Sequence, residues 1–520
     1  MKSKLVFALA TTLYLVGGCK AENLELKNEN QYSDGSYFTN ASTFNEGIVS
    51  TYSCLLQKGM YARDFYFLFD LMGNEAERDA PLLGDLLQLH NFTFGSSHQQ
   101  ITDLWQTMYR QIFRANLMID KLNAWKPVLP EEQAIKKAFL GEVAFLRGYA
   151  YFNLVNLWGR VPIRADYGSS KDFFVGRAST ADVWKIVEAD LLAAQTSLPL
   201  VQSADNLGRA TSGAATAMLG KAFLYQKKYA QAVTELAKLT QAPYTYKLNN
   251  DFDDQFSDKN SGSSESVFDI PHKWNGWGLG NAYYMFGGQE AWGGKATHTG
   301  RAMEYGWNDW RNVFISDAAV KGFTYTDEAG KTYSDPRAKL TFYGNAASGG
   351  DTDYCTKCAS GSKPYPYNAS NGFRWRKYNN YEFRENEEQP QSEINTQVIR
   401  FADVLLMLAE AQIEQGNNAA ALPLINRVRS RVKAFNYTAL GSQENARTII
   451  RRERRLELCG EQSRYFDLLR WGTIQQTINA EKQLQIGSQP FQTKNVFLPI
   501  PQIEKDVNPT VARDVTNNWN

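Results

Sequence analysis

Histidine is almost missing from this chain, with four in 520 residues. His90, His98, His272 and His298 form no His-x-x-x-His or His-Glu-x-x-His spacing, which disfavours a zinc hydrolase. A Gly-x-Ser-x-Gly elbow is also missing, as is a phosphate-binding glycine loop ending in Lys-Ser or Lys-Thr. Neither sign of charge dominates: 56 basic residues face 55 acidic ones, and no basic stripe is evident. A nucleic-acid partner is therefore not expected. Cysteine is scarce, at five. The lone Cys355-x-x-Cys358 has no second pair nearby to complete a four-ligand zinc site. No metal and no cofactor are expected. Beyond the first twenty residues there is no long apolar run, so no membrane-spanning helix is expected.

The start of the chain is of a different kind. Lys2 and Lys4 precede an apolar stretch from Leu5 to Val16, which closes on Leu15-Val16-Gly17-Gly18-Cys19. The stretch is too short to span a bilayer and reads as the core of a secretory signal over residues 1–18. Small residues before a cysteine resemble the bacterial lipobox. Cys19 is then the acylated first residue of the mature chain and its sole membrane attachment. Removing Lys2 and Lys4 leaves 54 basic and 55 acidic groups, a net of −1. Outside the cytoplasm the remaining cysteines can oxidise. Cys355 and Cys358 are placed to close a local disulfide or stay free, and Cys459 reads as a small core residue.

Two kinds of sequence alternate after that. One is helix-periodic and rich in Ala and Leu. Helices are expected near Ile101–Asn123 and Glu131–Trp158, the second with Phe145, Tyr149, Phe152 and Val155 on one stripe. Gly159 and Pro162 stop it. Ser179, with Asp182 three residues on, opens another, which Pro199 ends. Pairs follow at Ser212–Gln226 with Tyr229–Leu239, and at Ile399–Gln415 with Asn418–Val432. Leu219-Gly220, Phe223, Ala232 and Leu236 follow the tetratricopeptide spacing; Leu408-Ala409, Ala421 and Ile425 repeat it. Small residues let paired helices approach, and large ones fill the gap to the next pair. Further helices are expected near Glu444–Cys459 and Arg464–Trp471.

The other kind, from Lys247 to Gln397, is dense in Gly, Asn, Ser and aromatics. A structureless loop of that length is implausible, so it reads as an irregular subdomain with a few short strands such as Val267–Ile270. Trp274, Trp277, Trp292, Trp307 and Trp310, five of the twelve tryptophans, fall within it in under forty residues, interleaved with glycine. Glycine lets the backbone bend so that a flat ring can stand out of a loop. An aromatic plane covers the apolar face of a sugar, and Asn, Asp, Gln or Arg satisfies its hydroxyl rim. Trp274, Trp277 and Trp292 are the first candidates, with Asn281 and Trp307 beside them.

A set of motifs then falls in order. Phe145-Leu146-Arg147-Gly148-Tyr149 leads to Leu157-Trp158-Gly159-Arg160-Val161-Pro162. Arg400-Phe401-Ala402-Asp403-Val404-Leu405-Leu406 precedes Ala409-Glu410-Ala411 and Ile425-Asn426-Arg427-Val428-Arg429. Glu453-Arg454-Arg455-Leu456-Glu457-Leu458, Arg464-Tyr465-Phe466-Asp467-Leu468, Arg470-Trp471 and Leu498-Pro499-Ile500-Pro501 close the set. Together they resemble the SusD/RagB family of surface lipoproteins. The chain departs from it in its Thr516-Asn517-Asn518-Trp519-Asn520 ending and in a weakly acidic stretch after Cys19.

The resemblance implies a mainly α fold: a tetratricopeptide-like helix-pair superhelix carrying a large loop-rich subdomain. Residues 19–246 and 398–520 are expected to supply the helices, and 247–397 the ligand-binding subdomain. It implies a non-catalytic lipoprotein of the outer membrane, facing outward. Such a protein captures oligosaccharides, or in some relatives peptides, for a SusC-like TonB-dependent transporter. It also places Asn74 and Asp79 near the ligand. The Glu453–Glu457 and Arg464–Arg470 stretches read as structural ion pairs locking helices together, not as acids and bases, because cations abound beside the carboxylates. A surface glycoside hydrolase and a purely protein-binding tetratricopeptide adaptor are the competing readings. The Trp/Gly region argues against the adaptor.

Overall fold

A computed structural model describes residues 37–78, 84–172, 174–258, 262–272, 299–385, 393–482, 489–514 and 519. Helices dominate. The first eight are α1 (Ala41–Tyr52), α2 (Asp64–Met72), α3 (Gly84–Asn91), α4 (Gln99–Ala124), α5 (Pro130–Trp158), α6 (Thr180–Ser197), α7 (Ser212–Tyr225) and α8 (Tyr229–Lys238). Three short ones follow: α9 (Arg301–Tyr305), α10 (Asp317–Gly322) and α11 (Arg337–Thr341). The last group is α12 (Phe401–Glu414), α13 (Asn418–Arg431), α14 (Gln443–Leu458), α15 (Ser463–Trp471), α16 (Ile474–Glu481), α17 (Gln502–Val507) and α18 (Pro509–Ala512).

Local chemistry explains the ends. Pro130 opens α5 with Glu131 and Glu132 in its first turn, and Gly159 at φ 68 closes it. The Ser179 hydroxyl accepts the Asp182 backbone N–H and caps α6. Consecutive helices then stack: α4 on α5, α5 on α6, α6 on α7, α7 on α8, α8 on α12, and α12 on α13 and α14. This is the tetratricopeptide-like superhelix. The expected small-residue contact is present, since a Cβ built on Gly220 of α7 would lie 2.6 Å from Leu236 Cγ of α8. Ala409, Ala421 and Ile425, the matching residues of the second pair, are fully buried.

One apolar core runs through this stack, from Leu55 to Val511. Helix α2 lies in it with all nine residues buried. Its burial on every side explains why Phe65, Tyr66, Phe67 and Phe69 show no amphipathic period.

The irregular part is tied down by two-stranded pairs. β1 (Ala76–Arg78) is antiparallel to β3 (Val313–Ile315), and β2 (Ser266–Ile270) to β10 (Thr396–Arg400). Residues 399 and 400, expected to be helical, instead finish β10, and α12 starts at Phe401. The Phe401 N–H donates to Glu265 O at 2.8 Å, so the strand pairing fixes where the helix begins. Smaller pairs are β4 (Thr324–Thr326) with β5 (Thr332–Ser334), β6 (Phe342–Tyr343) with β9 (Arg374–Trp375), and β7 (Asp353–Tyr354) with β8 (Lys363–Pro364). Cys355 and Cys358 form a disulfide; Cys54 and Cys459 are buried thiols.

The ion pairs on α14 form between elements. Glu457, 0 % exposed, pairs with Arg400 (2.6 Å), Arg337 (3.3 Å) and Arg431. Glu453 pairs with Arg337 (2.9 Å) and Arg429. Arg454 reaches Asp403 and Asp467, both at 2.8 Å. Thus α14 is clamped to α11, α12, α13, α15 and β10.

Candidate functional site

Helix α9 begins the site by bolting the aromatic segment to α2. Tyr305 donates its hydroxyl to Asp70 Oδ2 at 2.7 Å, and Arg301 pairs with the same carboxylate at 3.2 Å. Arg63 pairs with Glu304 at 2.7 Å. These charges are desolvated, so each has a partner. The chain then turns at Gly306, where a Cβ would come 2.5 Å from the Tyr381 hydroxyl.

Trp307 follows, 7 % exposed, in a satellite cluster with Tyr343, Tyr365 and Tyr381. Its ring meets Tyr354 edge-on at 4.9 Å and Tyr365 at 5.3 Å. The geometry is the edge-to-face packing that ring quadrupoles favour. The Tyr343 hydroxyl donates to Glu382 at 2.7 Å, and the Tyr381 hydroxyl bonds Asp309. Burial and then the Glu382 charge hold the Tyr343 phenol well above its usual range. The disulfide loop braces the cluster, because the Cys355 and Lys357 N–H groups donate to Tyr381 O and Glu382 O, both at 2.7 Å.

At the edge of this cluster the surface turns polar. Asn308 is exposed, Asp309, Trp310 and Tyr354 are half-buried, and Tyr367 is 40 % exposed. Arg311 donates to Ser370 O at 3.0 Å, joining the Trp310 loop to the Tyr367 turn. The result is half-covered rings beside amides and a carboxylate, a surface suited to a sugar's apolar face and hydroxyl rim.

The expected residues are placed unevenly. Trp307 lies inside the cluster and supports the surface from below. Asn74 is buried at the turn after α2, at φ 57, with its carbonyl accepting the Ser316 hydroxyl at 2.7 Å. It fixes the β1–β3 pairing and is not joined with Trp307 in one surface. Glu75 beside it accepts the Gly460 N–H at 2.9 Å, and burial, then Asp70, pushes its carboxyl up to about 7. Asp79, Trp274, Trp277, Asn281, Trp292 and Cys19 lie outside the described residues. Tyr354, Tyr365, Tyr367 and Tyr381 were not singled out from sequence. Their only signal was tyrosine recurring in a Gly/Ser/Asn-rich stretch. Among the described residues, no group of three or more His, Cys, Asp or Glu side chains is placed to hold a metal.

Comparison with known proteins decides the family. The model for the SusD family matches residues 246–519, and a model described as starch-binding and associating with the outer membrane matches residues 25–224. The chain belongs to the SusD/RagB family. A SusD-like protein of Formosa agariphila is 25% identical over 517 residues, 93% of either chain. Among solved structures, a SusD superfamily protein from Bacteroides vulgatus superposes with a TM-score of 0.75 at 26% identity, covering 91% of this chain and 98% of that one. A laminarin-binding SusD-like protein superposes at 0.70 and 26% identity, covering 90% and 98%. As a SusD-family chain, it carries its motif residues where the fold needs them. The Arg400–Asp403 and Glu453–Glu457 motifs meet in the buried ion-pair knot. Trp158, of the Trp-Gly-Arg-Val-Pro motif, donates its indole N–H to Pro499 O at 2.9 Å, within the Leu-Pro-Ile-Pro motif.

Proposed function

We propose that this chain is a non-catalytic, lipid-anchored glycan-binding protein on the outer face of the outer membrane. It captures oligosaccharides and delivers them to a SusC-like TonB-dependent transporter. The observation that carries the reading is the polar-rimmed aromatic surface around Trp310, Tyr354 and Tyr367, held on a SusD-family scaffold. The laminarin-binding neighbour and the starch-binding family model support a carbohydrate ligand. Among the described residues no helix is long and apolar enough to cross a membrane, which suits attachment through Cys19. Trp274, Trp277, Trp292, Asn281 and Asp79 remain part of the proposal as ligand-side residues, and the buried Asn74 and Trp307 as supports of the backbone turn and of the ring cluster.

The test measures affinity for soluble polysaccharides, laminarin first, in the parent and in Trp277→Ala, Trp310→Ala and Tyr367→Ala. A stacking ring is expected to contribute at least about 2 kcal/mol, near thirtyfold in affinity, with the melting temperature held. If no glycan binds, or all three variants bind as the parent does, the reading fails. Cys19→Ala is expected to release the protein from washed membranes, because the lipid chains are its anchor. Gentle detergent extraction of the parent is expected to recover a TonB-dependent barrel; repeated recovery of this chain alone would count against delivery.

A further inference from the structure

Two cavities lie side by side along the flank of α14 that points away from the ion-pair knot. One, of ≈ 460 Å³, is lined by Glu77, His90, Asp317, Lys321 and Lys482. The other, of ≈ 610 Å³, is lined by Arg451, Arg452, Arg464 and Trp471. Arg455 and Glu481 belong to both, so the two make one groove. Six cations face three carboxylates across it.

Pairing there is incomplete. Among the described residues, Arg455 (2.9 Å) and Arg464 (2.8 Å) share the single carboxylate of Glu481. Among the described residues, Lys321, Arg451, Arg452 and Lys482 form no ion pair. The Lys482 Nζ and the Nε atoms of Arg452, Arg455 and Arg464 are buried donors without an acceptor. Lys482 is held over the Phe92 ring at 4.5 Å, and its flexible stem lets the amine swing toward the cavity. Burial pushes that amine down to about 7, with Glu77 opposing, and burial and then the neighbouring Arg464 lower the Arg455 guanidinium. Both shifts come first from burial, which the nearby carboxylates do not offset.

Acceptors are present as well. His90 is 3 % exposed and gives its Nδ1 proton to Asn91 Oδ1 at 3.0 Å, which leaves an unpartnered lone pair on Nε2. Burial and then Lys482 push its pKa down to about 4, so it stays neutral near pH 7. Glu77 and Asp317 are free of ion pairs among the described residues and repel each other. Spare donors of positive charge beside spare acceptors match a ligand that bears both an anionic group and hydroxyls. Trp471 adds an aromatic wall, with Arg451 over its ring at 5.1 Å.

We propose that this groove is a second saccharide subsite, selective for a sugar carrying a carboxylate or a sulfate ester. That the ligand is a saccharide rests on the function proposed above; that it is anionic rests on the groove itself. The anionic group sits among the unpaired Lys482 and Arg451 and the Arg455 that belongs to both cavities, while His90 Nε2 and the Glu77 and Asp317 carboxylates accept hydroxyls.

The experiment titrates the mature chain with four probes: an oligogalacturonate, a sulfated galactan oligosaccharide, inorganic sulfate and a neutral laminarin oligosaccharide. An acidic oligosaccharide is expected to bind, and to weaken between about 50 and about 500 mM NaCl. The tighter of the two acidic probes identifies the anionic group. Lys482→Gln and Arg451→Gln are each expected to lower its affinity about tenfold, or about 1.4 kcal/mol, leaving laminarin binding unchanged. At a pH of about 8, where the Lys482 amine is mostly neutral, acidic-probe binding should take up protons in the parent and none in Lys482→Gln. Calorimetry in buffers of different ionisation heat reads this directly. Should Lys482→Gln not fold, Arg451→Gln carries the comparison. Equal binding of acidic and neutral probes by the parent, or parent-like affinity in the folded variants, overturns the proposal. Sulfate ion binding as tightly as the oligosaccharides overturns its saccharide part. Acidic binding that survives while no neutral glycan binds leaves the groove standing and removes the aromatic-surface reading instead.

Discussion

Helix α14 carries the same residue types on two sides, and they behave in opposite ways. Glu453, Arg454 and Glu457 face the knot, where every carboxylate has a cation and Glu457 has three. Arg451, Arg452 and Arg455 face the groove, where four cations lack any carboxylate among the described residues and two others share Glu481. Desolvation explains the difference. A charge deep in a protein is costly unless it is paired, and on the knot side counter-ions offset that cost. The groove side keeps solvent-sized space, so its charges are left available to something that enters. Buried paired charge reads as structure, and cavity-lining unpaired charge as recognition.

Three changes break or sharpen that contrast. The largest effect is expected at the knot. Glu457→Gln removes one charge from three buried guanidinium partners and should cost roughly 3–5 kcal/mol by denaturant unfolding. A loss under about 1 kcal/mol would mean that the knot is screened like a surface pair. Arginine contacts hold the Glu457 carboxyl well below the usual carboxylate range, despite its burial. A depressed folded pKa gives stability that is complete above the unfolded value of about 4.3 and declines as pH falls below it. Acid unfolding in the parent should therefore set in below about pH 4.3, and Glu457→Gln should flatten it.

The next effect has the opposite sign. Lys482 is a buried amine without a carboxylate partner, so Lys482→Met should raise stability by on the order of 1 kcal/mol at neutral pH. Here the folded pKa lies near 7 and the unfolded one near about 10.4. Between them the unfolded chain binds the extra proton, so parent stability rises with pH and the advantage of Met shrinks toward pH 10. A variant that melts lower than the parent at neutral pH would show that the amine is a structural partner. The smallest effect belongs to Arg451→Gln, which loses one cation–π contact with Trp471 and should shift stability by under about 1 kcal/mol. A larger loss would place Arg451 with the knot and erase the contrast between the two sides of α14.

Much of the scaffold was legible because helices advertise themselves locally. Ser179 capped where it was read, and Gly220 stands where its pair of helices meets. The misplaced start of α12 has a tertiary cause: Ile399 and Arg400 carry helix-compatible residues, yet the bulged pairing with β2 claims them. The site was read less well. Helical i, i+3 and i+4 spacing suggested pairs along α14, but Glu453 and Glu457 take their partners from Arg337, Arg400, Arg429 and Arg431 on other elements. Trp307 stood out by its neighbours in sequence, whereas the tyrosines that enclose it arrive from up to 74 positions away, as Tyr381 does. Asn74 looked like a polar loop residue and is instead a buried turn at positive φ.

By itself, the sequence determined the helix pairs, the close approach at Gly220 and the ordered motifs that carry the family. Each of these rests on residues within a turn or two of one another, where spacing and propensity dominate. Only the tertiary structure decided which side of α14 is sealed and which is open, which rings support the aromatic surface and which face outward, and where Lys482, His90 and Glu77 converge. Those outcomes depend on segments far apart in the chain meeting, some in sealed space and some along a cavity. Desolvation there sorts identical side chains into paired and unpaired, and no local pattern records that choice.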